Sequence, residues 1–136
     1  MAGAEFPLSD PEAAAELMTV FRSDADTAYP NAVVLEPVGE LDQISAAVLW
    51  APLAEHLGLS GRHVVLDLSK ITFFASIGIK IMVMASGRAR TCGSSLAIVA
   101  TTRTVRRPMQ LLGVLDQLPV YRRRADALSA HPQHSG

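Results

Sequence analysis

The sequence predicts a single α/β domain whose sheet has parallel neighbours. Three observations carry that expectation. Residues 63–68, His-Val-Val-Leu-Asp-Leu, form a near-continuous apolar run of the kind that lies in a sheet covered on both faces. Strand-like and helix-like segments alternate along the chain, with no internal repeat. The chain has 136 residues, one domain's length, and a hydrophobic content of 49%, enough for a substantial core.

Taken in order, residues 8–17 open with helix-start chemistry. Ser9 and Glu12 have capping-box spacing, and Pro11 stands where a first-turn proline belongs. Residues 18–21 read as an edge strand, and 24–31 as a polar turn. The β-branched stretch 32–38 reads as a strand in which Pro37 implies an edge position or a bulge. Residues 44–57 have helical character, with Ile44, Val48, Leu53 and Leu57 on one face; Pro52 implies a kink or a start just before it. After the strand at 63–68, a loop containing Thr72, Phe73 and Phe74 leads to a helix over 76–90. Ile77, Ile81, Met84 and Ala85 recur there at helical spacing, Ile79, Met82 and Val83 extend its apolar run, and Gly93 follows its end. A strand at 96–99, a short helix at 105–112 stopped by Gly113, a last strand at 118–122 and a helical turn at 124–128 complete the series. The expected organisation is an extension over 1–17 (short helix or disordered), a domain over 18–128 and a disordered tail over 129–136.

Composition excludes several classes. One cysteine, Cys92, permits neither an internal disulfide nor a thiolate metal cluster. Residues 1–10 lack a secretory signal, and no apolar run approaches the length of a membrane span, so a cytoplasmic protein is expected. His56 and His63 lack metal-ligand spacing and read as surface or capping residues. Arg88 and Arg90 near Cys92 are a setting for a reactive thiolate, with a bystander thiol the plainer role. No convergent catalytic set and no phosphate-cradling glycine loop is present, so neither an enzyme nor a cofactor is expected.

Net charge is −1 but uneven. Residues 1–69 hold 11 acidic side chains against Arg22 and Arg62, whereas 70–136 hold ten basic ones against Asp116 and Asp126. Arg103, Arg106, Arg107 and Arg122 to Arg124 raise the question of nucleic acid, but only Tyr121 accompanies them as a stacking group. A solvated basic face is the simpler reading, an acidic protein partner the next. Trp50, beside Pro52, is an interface anchor if exposed near Asp42 and a packing residue otherwise.

Four segments in register resemble the STAS family of anti-sigma factor antagonists. They are Val38-Gly39-Glu40-Leu41-Asp42, Val64-Val65-Leu66-Asp67-Leu68-Ser69, Phe73-Phe74-Ala75-Ser76-Ile77-Gly78-Ile79, and Val105-Arg106-Arg107 through Leu111-Leu112-Gly113-Val114. The likeness spans about residues 19–128. It implies a four- to five-stranded mixed sheet with helices mainly on one side. It also implies binding of an anti-sigma factor, often itself a serine kinase, and with it the release of a sigma factor. Family members also dimerise or assemble with other STAS proteins.

In the family, a Phe-hydrophobic-Asp-Ser-Ser/Thr-Gly stretch starts the second main helix, and the hydroxyl residue before the glycine is phosphorylated to release the partner. A phosphate there adds nearly two negative charges at a binding surface, and a helix N-terminus tolerates it. Aligned on Gly78, this chain has Ile77 at the phosphoacceptor position and Ala75 at the aspartate. Isoleucine has no hydroxyl, so the usual switch is lost. Ser76 remains, as a helix N-cap or as an alternative phosphosite. Asp42 matches the family's Gly-Glu-Leu-Asp aspartate, with partner contact and turn or helix capping as competing roles. The expected partner-binding set is therefore Asp42, Ala75, Ser76, Ile77 and Gly78, with Gly78 allowing close packing at the helix start. The alternatives are a divergent STAS module that assembles with other regulatory proteins and, behind it, a nucleic-acid-binding domain.

Overall fold

The structure is a computed structural model that describes residues 17–24 and 28–130. The expectation for the N-terminal helix start lies outside the described residues, as does the tail expected over 129–136 except for its first two residues, of which Ser129 still belongs to a helix. The elements are β1 (Met18–Asp24), β2 (Ala32–Leu41), α1 (Ala46–Leu57), β3 (His63–Asp67), β4 (Ile71–Phe74), α2 (Ser76–Cys92), β5 (Ser95–Val99), α3 (Arg103–Leu111), β6 (Val120–Tyr121) and α4 (Arg124–Ser129).

Five strands run in the order β1-β2-β3-β5-β6, and the short β4 joins as a sixth by pairing with β2. The β1–β2 pair is antiparallel, and every other pair is parallel. Side-chain alternation divides the core between the two faces. Val33, Leu35, Val64, Leu66 and Ile98 pack with Leu49, Leu53 and Leu57 of α1, Ile81, Met82 and Ala85 of α2, and Val105 and Met109 of α3. Their neighbours Val34, Val65, Ala97 and Val99 face the other way, against Ala127 of α4 and the half-buried Tyr121 and Leu128. Three helices therefore cover one face and α4 the other. The apolar run of β3 follows from its central place, where all five residues are buried.

Several expectations change. Pro37 lies neither on an edge strand nor at a bulge. β2 pairs with β3 through residues 32–35 and with β4 through 39–41, and Pro37 sits between these two ladders on one side while facing Val20 of β1 on the other. The register irregularity falls later, between Gly39 and Glu40. There Gly39 adopts φ 130°, and an added Cβ would collide with the Leu17 carbonyl.

Residues 71–74 form a strand rather than a loop. The helix after β2 passes through Pro52 without ending, because Leu49, Trp50, Leu53 and Leu57 on both sides of it are buried. Packing of that stripe outweighs the roughly 3 kcal/mol that an interior proline costs. Trp50 belongs to this core and is 3% exposed, so it is no interface anchor, whereas Ile44 is 43% exposed and leaves the apolar face.

His56 and His63 are buried, not surface groups. His63 places Nδ1 2.7 Å from Ser95 Oγ and Nε2 2.8 Å from the Ala127 carbonyl, tying β3 to β5 and to α4. α4 is held further by Arg124, whose guanidinium donates to Asp67 Oδ2 at 2.9 Å and to Glu36 Oε2 at 3.2 Å. Here acids of the first half of the chain meet a base of the second.

Candidate functional site

The expected site residues follow the ends of two adjacent parallel strands. In the β2–β4 ladder Leu41 stands beside Phe74. The next residues, Asp42 and Ala75, therefore leave the sheet at the same edge, and the Ala75 N–H donates to the Leu41 carbonyl at 2.9 Å. This bond fixes the first turn of α2 against the Asp42 loop.

Asp42 acts as a cap. Its Oδ1 accepts the N–H groups of Ile44 and Ser45, each at 3.0 Å. The buried Ser45 completes the knot: its Oγ donates to the Glu40 carbonyl at 2.6 Å and accepts the Asp42 N–H at 3.0 Å. An Asx-type turn of this kind fixes the chain direction into α1. Every bond named to this half-buried carboxylate uses Oδ1.

At the other half of the site, Ser76 is not the N-cap. Ala75 is, in an extended conformation (φ −86°, ψ 169°) and with no side-chain capping bond; Ser76 is the exposed first residue of α2. No acidic residue lies in the first turn, so the N–H groups there and the positive end of the helix dipole carry no side-chain compensation. Ile77 is half-buried and packs against the core beside this turn. Gly78 is buried, and an added Cβ would stand 2.5 Å from the ring of Phe74. All five expected residues thus gather at one edge.

Three exposed apolar side chains border them without having been expected there: Ile44 in the Asp42 loop, Phe73 at 51% exposure two residues before Ala75, and Val83 at 53% on α2. Ser76, Lys80 and Val83 share the exposed side of α2, at helical spacing. Val83 was detectable, since it falls outside the Ile77, Ile81, Ala85 repeat. Phe73 does not follow from simple alternation: burial over Ile71–Phe74 runs in, out, out, in, because the register with β2 shifts between Ile71 and Phe73.

Among the described residues no group of three or more His, Cys, Asp or Glu side chains is placed to hold a metal. No helix there is long and apolar enough to cross a membrane.

A family model described as Mlab, STAS domain matches residues 25–120. The anti-sigma-F factor antagonist RsfB of Mycobacterium tuberculosis is 31% identical over 103 residues, which take in 74% of this chain and 82% of that protein. The crystal structure of an anti-sigma factor antagonist from Mycobacterium paratuberculosis superposes with a TM-score of 0.73 at 27% identity, covering 84% of this chain and 93% of the other. The anti-sigma factor antagonist SpoIIAA, in its unphosphorylated form, shares the fold with a TM-score of 0.63 at 15% identity, over 82% of this chain and 94% of that one. Family match and relatives agree: the chain belongs to the STAS domain family.

Proposed function

We propose that this protein is an anti-sigma factor antagonist: it captures an anti-sigma factor, frees the sigma factor, and works by binding in the cytoplasm rather than by catalysis. The contact surface is the edge where Asp42 meets Ala75, Ser76, Ile77 and Gly78. The observation that carries this reading is the Ala75 N–H to Leu41 carbonyl bond, which brings the two family motifs together as one surface. Relatives bearing the antagonist name support it.

Capture here is not released by the family's usual phosphorylation. Ile77 offers no oxygen to esterify, and its side chain packs inward on the core. Ser76 has an exposed hydroxyl and is the alternative acceptor. The uncapped turn at Ala75 and the exposed Ile44, Phe73 and Val83 suit a partner that brings a carboxylate to the helix N-terminus and apolar groups around it.

The test combines the purified protein with each anti-sigma factor of its source organism, with and without ATP, and reads complex formation and phosphate incorporation. A stable complex that survives ATP, with no label, is expected. Stoichiometric phosphate on Ser76 with release of the partner would refute the unswitched state. Absence of a complex with any anti-sigma factor would refute antagonism and favour a STAS module that assembles with other regulatory proteins or with a second copy of itself.

A further inference from the structure

Four arginines line one open cleft at the carboxyl ends of β5 and β6. Thr101, Arg103, Arg106, Arg107, Gln110 and Arg122 line this cleft of about 400 Å³. Thr101 follows the end of β5 by two residues, Arg122 directly follows β6, and Arg103 is the first residue of α3. The crevice outside the carboxyl ends of parallel strands is where α/β sheets commonly hold small ligands.

The cations there are uncompensated. The ion pairs among the described residues are Arg22 with Asp24, Arg123 with Asp126, and Arg124 with Glu36 and Asp67. None involves the four arginines of the cleft. Arg106 is the fixed member: it is half-buried and donates from Nη1 to the Ala100 carbonyl at 3.0 Å, which leaves the rest of its fork available. Burial and the neighbouring Arg122 both pull its guanidinium below the ordinary arginine range, as expected where like charges meet without a counter-ion. The first turn of α3 adds free N–H groups. Thr102, the N-cap, makes no side-chain capping bond, and its buried Oγ1 has no hydrogen-bond partner among the described residues.

We propose that this cleft binds a phosphate-type anion, the phosphoryl or pyrophosphoryl end of a small molecule. Arginine forks match tetrahedral oxyanions by paired, charge-assisted hydrogen bonds, and several forks around one point favour a compact polyanion over an extended chain. The cleft volume is within the range of small-ligand sites. A second cleft of about 420 Å³ shares Arg103 and Arg107 and includes Phe73, Phe74 and Pro108, so a ligand with a flat apolar group beyond its phosphate has a surface to lie on.

The experiment titrates the whole chain by calorimetry, at low ionic strength, with inorganic phosphate, pyrophosphate and ATP in separate arms. Pyrophosphate is expected to bind in the sub-millimolar range, with Arg107→Glu or Arg122→Glu weakening it by about tenfold or more. Arg90→Glu, an exposed arginine outside the cleft, leaves it unchanged, and thermal unfolding confirms that the variants fold. ATP binding more tightly than pyrophosphate supports the site and identifies a nucleotide; equal affinity supports it and identifies the phosphates alone. Absence of binding in all three arms at about 10 mM overturns the proposal. So does unchanged affinity in both glutamate variants, or tighter binding of a single-stranded oligonucleotide lost in the same variants, which would mark a nucleic-acid surface instead.

Discussion

The ring of Phe74 fills the space that a side chain at Gly78 would need: an added Cβ would stand 2.5 Å from Cε1 and 2.6 Å from Cζ, and 3.1 Å from a methyl of Leu41. Strand end and helix start are thereby pressed together, and the glycine of the family motif has a steric cause. Gly78→Ala gains about 1 kcal/mol of helix propensity and loses about 2 kcal/mol to overpacking. A net loss near 1 kcal/mol is expected in urea denaturation. In a Phe74→Leu background the same change should cost nothing or stabilise; an equal cost in both backgrounds would show that the ring is not the obstacle.

Ala75 occupies the N-cap of α2 without capping it. Ala75→Asp supplies an acceptor for the first-turn N–H groups and a charge that suits the dipole. It should raise stability by about 1 kcal/mol. An unchanged denaturation midpoint would mean that these N–H groups are already satisfied.

Asp42 has a capping role that can be separated from any role of its charge. Asp42→Asn keeps an acceptor for the N–H groups of Ile44 and Ser45, whereas Asp42→Ala removes it. The alanine variant should lose about 1 kcal/mol and the asparagine variant only a few tenths. If the asparagine variant is stable yet binds the anti-sigma factor at least about tenfold more weakly, the charge itself touches the partner. Equal binding would confine Asp42 to structure.

Ile77 is the position at which charge can be introduced without a kinase. Ile77→Asp puts a carboxylate beside the core and into the proposed contact, and should weaken capture by about 100-fold or more, read by calorimetry against the purified anti-sigma factor. Ile77→Ser keeps capture and makes it ATP-sensitive, with phosphate at residue 77 by mass spectrometry. Full capture by Ile77→Asp would place the contact elsewhere.

His56 links stability to pH. Its imidazole is held below the ordinary value of 6.5, chiefly by burial and then by the positive charges of Arg22 and Arg62. The unfolded chain therefore binds a proton more readily than the folded one, and stability falls as pH falls. The contribution is complete above about pH 6.5, declines below it, and is gone once pH drops under the folded value. Urea unfolding between pH 8 and 5 should show this decline, and His56→Gln should remove that part of the slope. An identical slope in the variant would assign it to other groups.

Much of the fold was legible because its signals are local. The apolar run of β3, the repeat of α2 and the glycine after it, and the alternation of strands with helices all appear in the structure within a few residues. β4 looks like a loop in the sequence because four residues give too little pattern, and its pairing with β2 spans some thirty residues of chain. Ile44 leaves the expected apolar face, and Trp50 takes the packing role of its two alternatives; Pro52 obscures the helix frame that would decide both in the sequence. His63 looks like a surface residue until Ser95 and Ala127 are brought to its two nitrogens.

What the sequence determined alone is chemical identity and local pattern: family membership, the order of strands and helices, and an aliphatic side chain at residue 77. Only the tertiary structure decided which surface these residues make. The parallel register of β2 and β4 brings Asp42 to Ala75, and the ends of β5 and β6 gather Arg103, Arg106, Arg107 and Arg122 into a cleft. The physical reason is that periodicity reports the free energy of neighbours in the chain. Strand register and the meeting of like charges depend on long-range packing, which no short window of sequence contains.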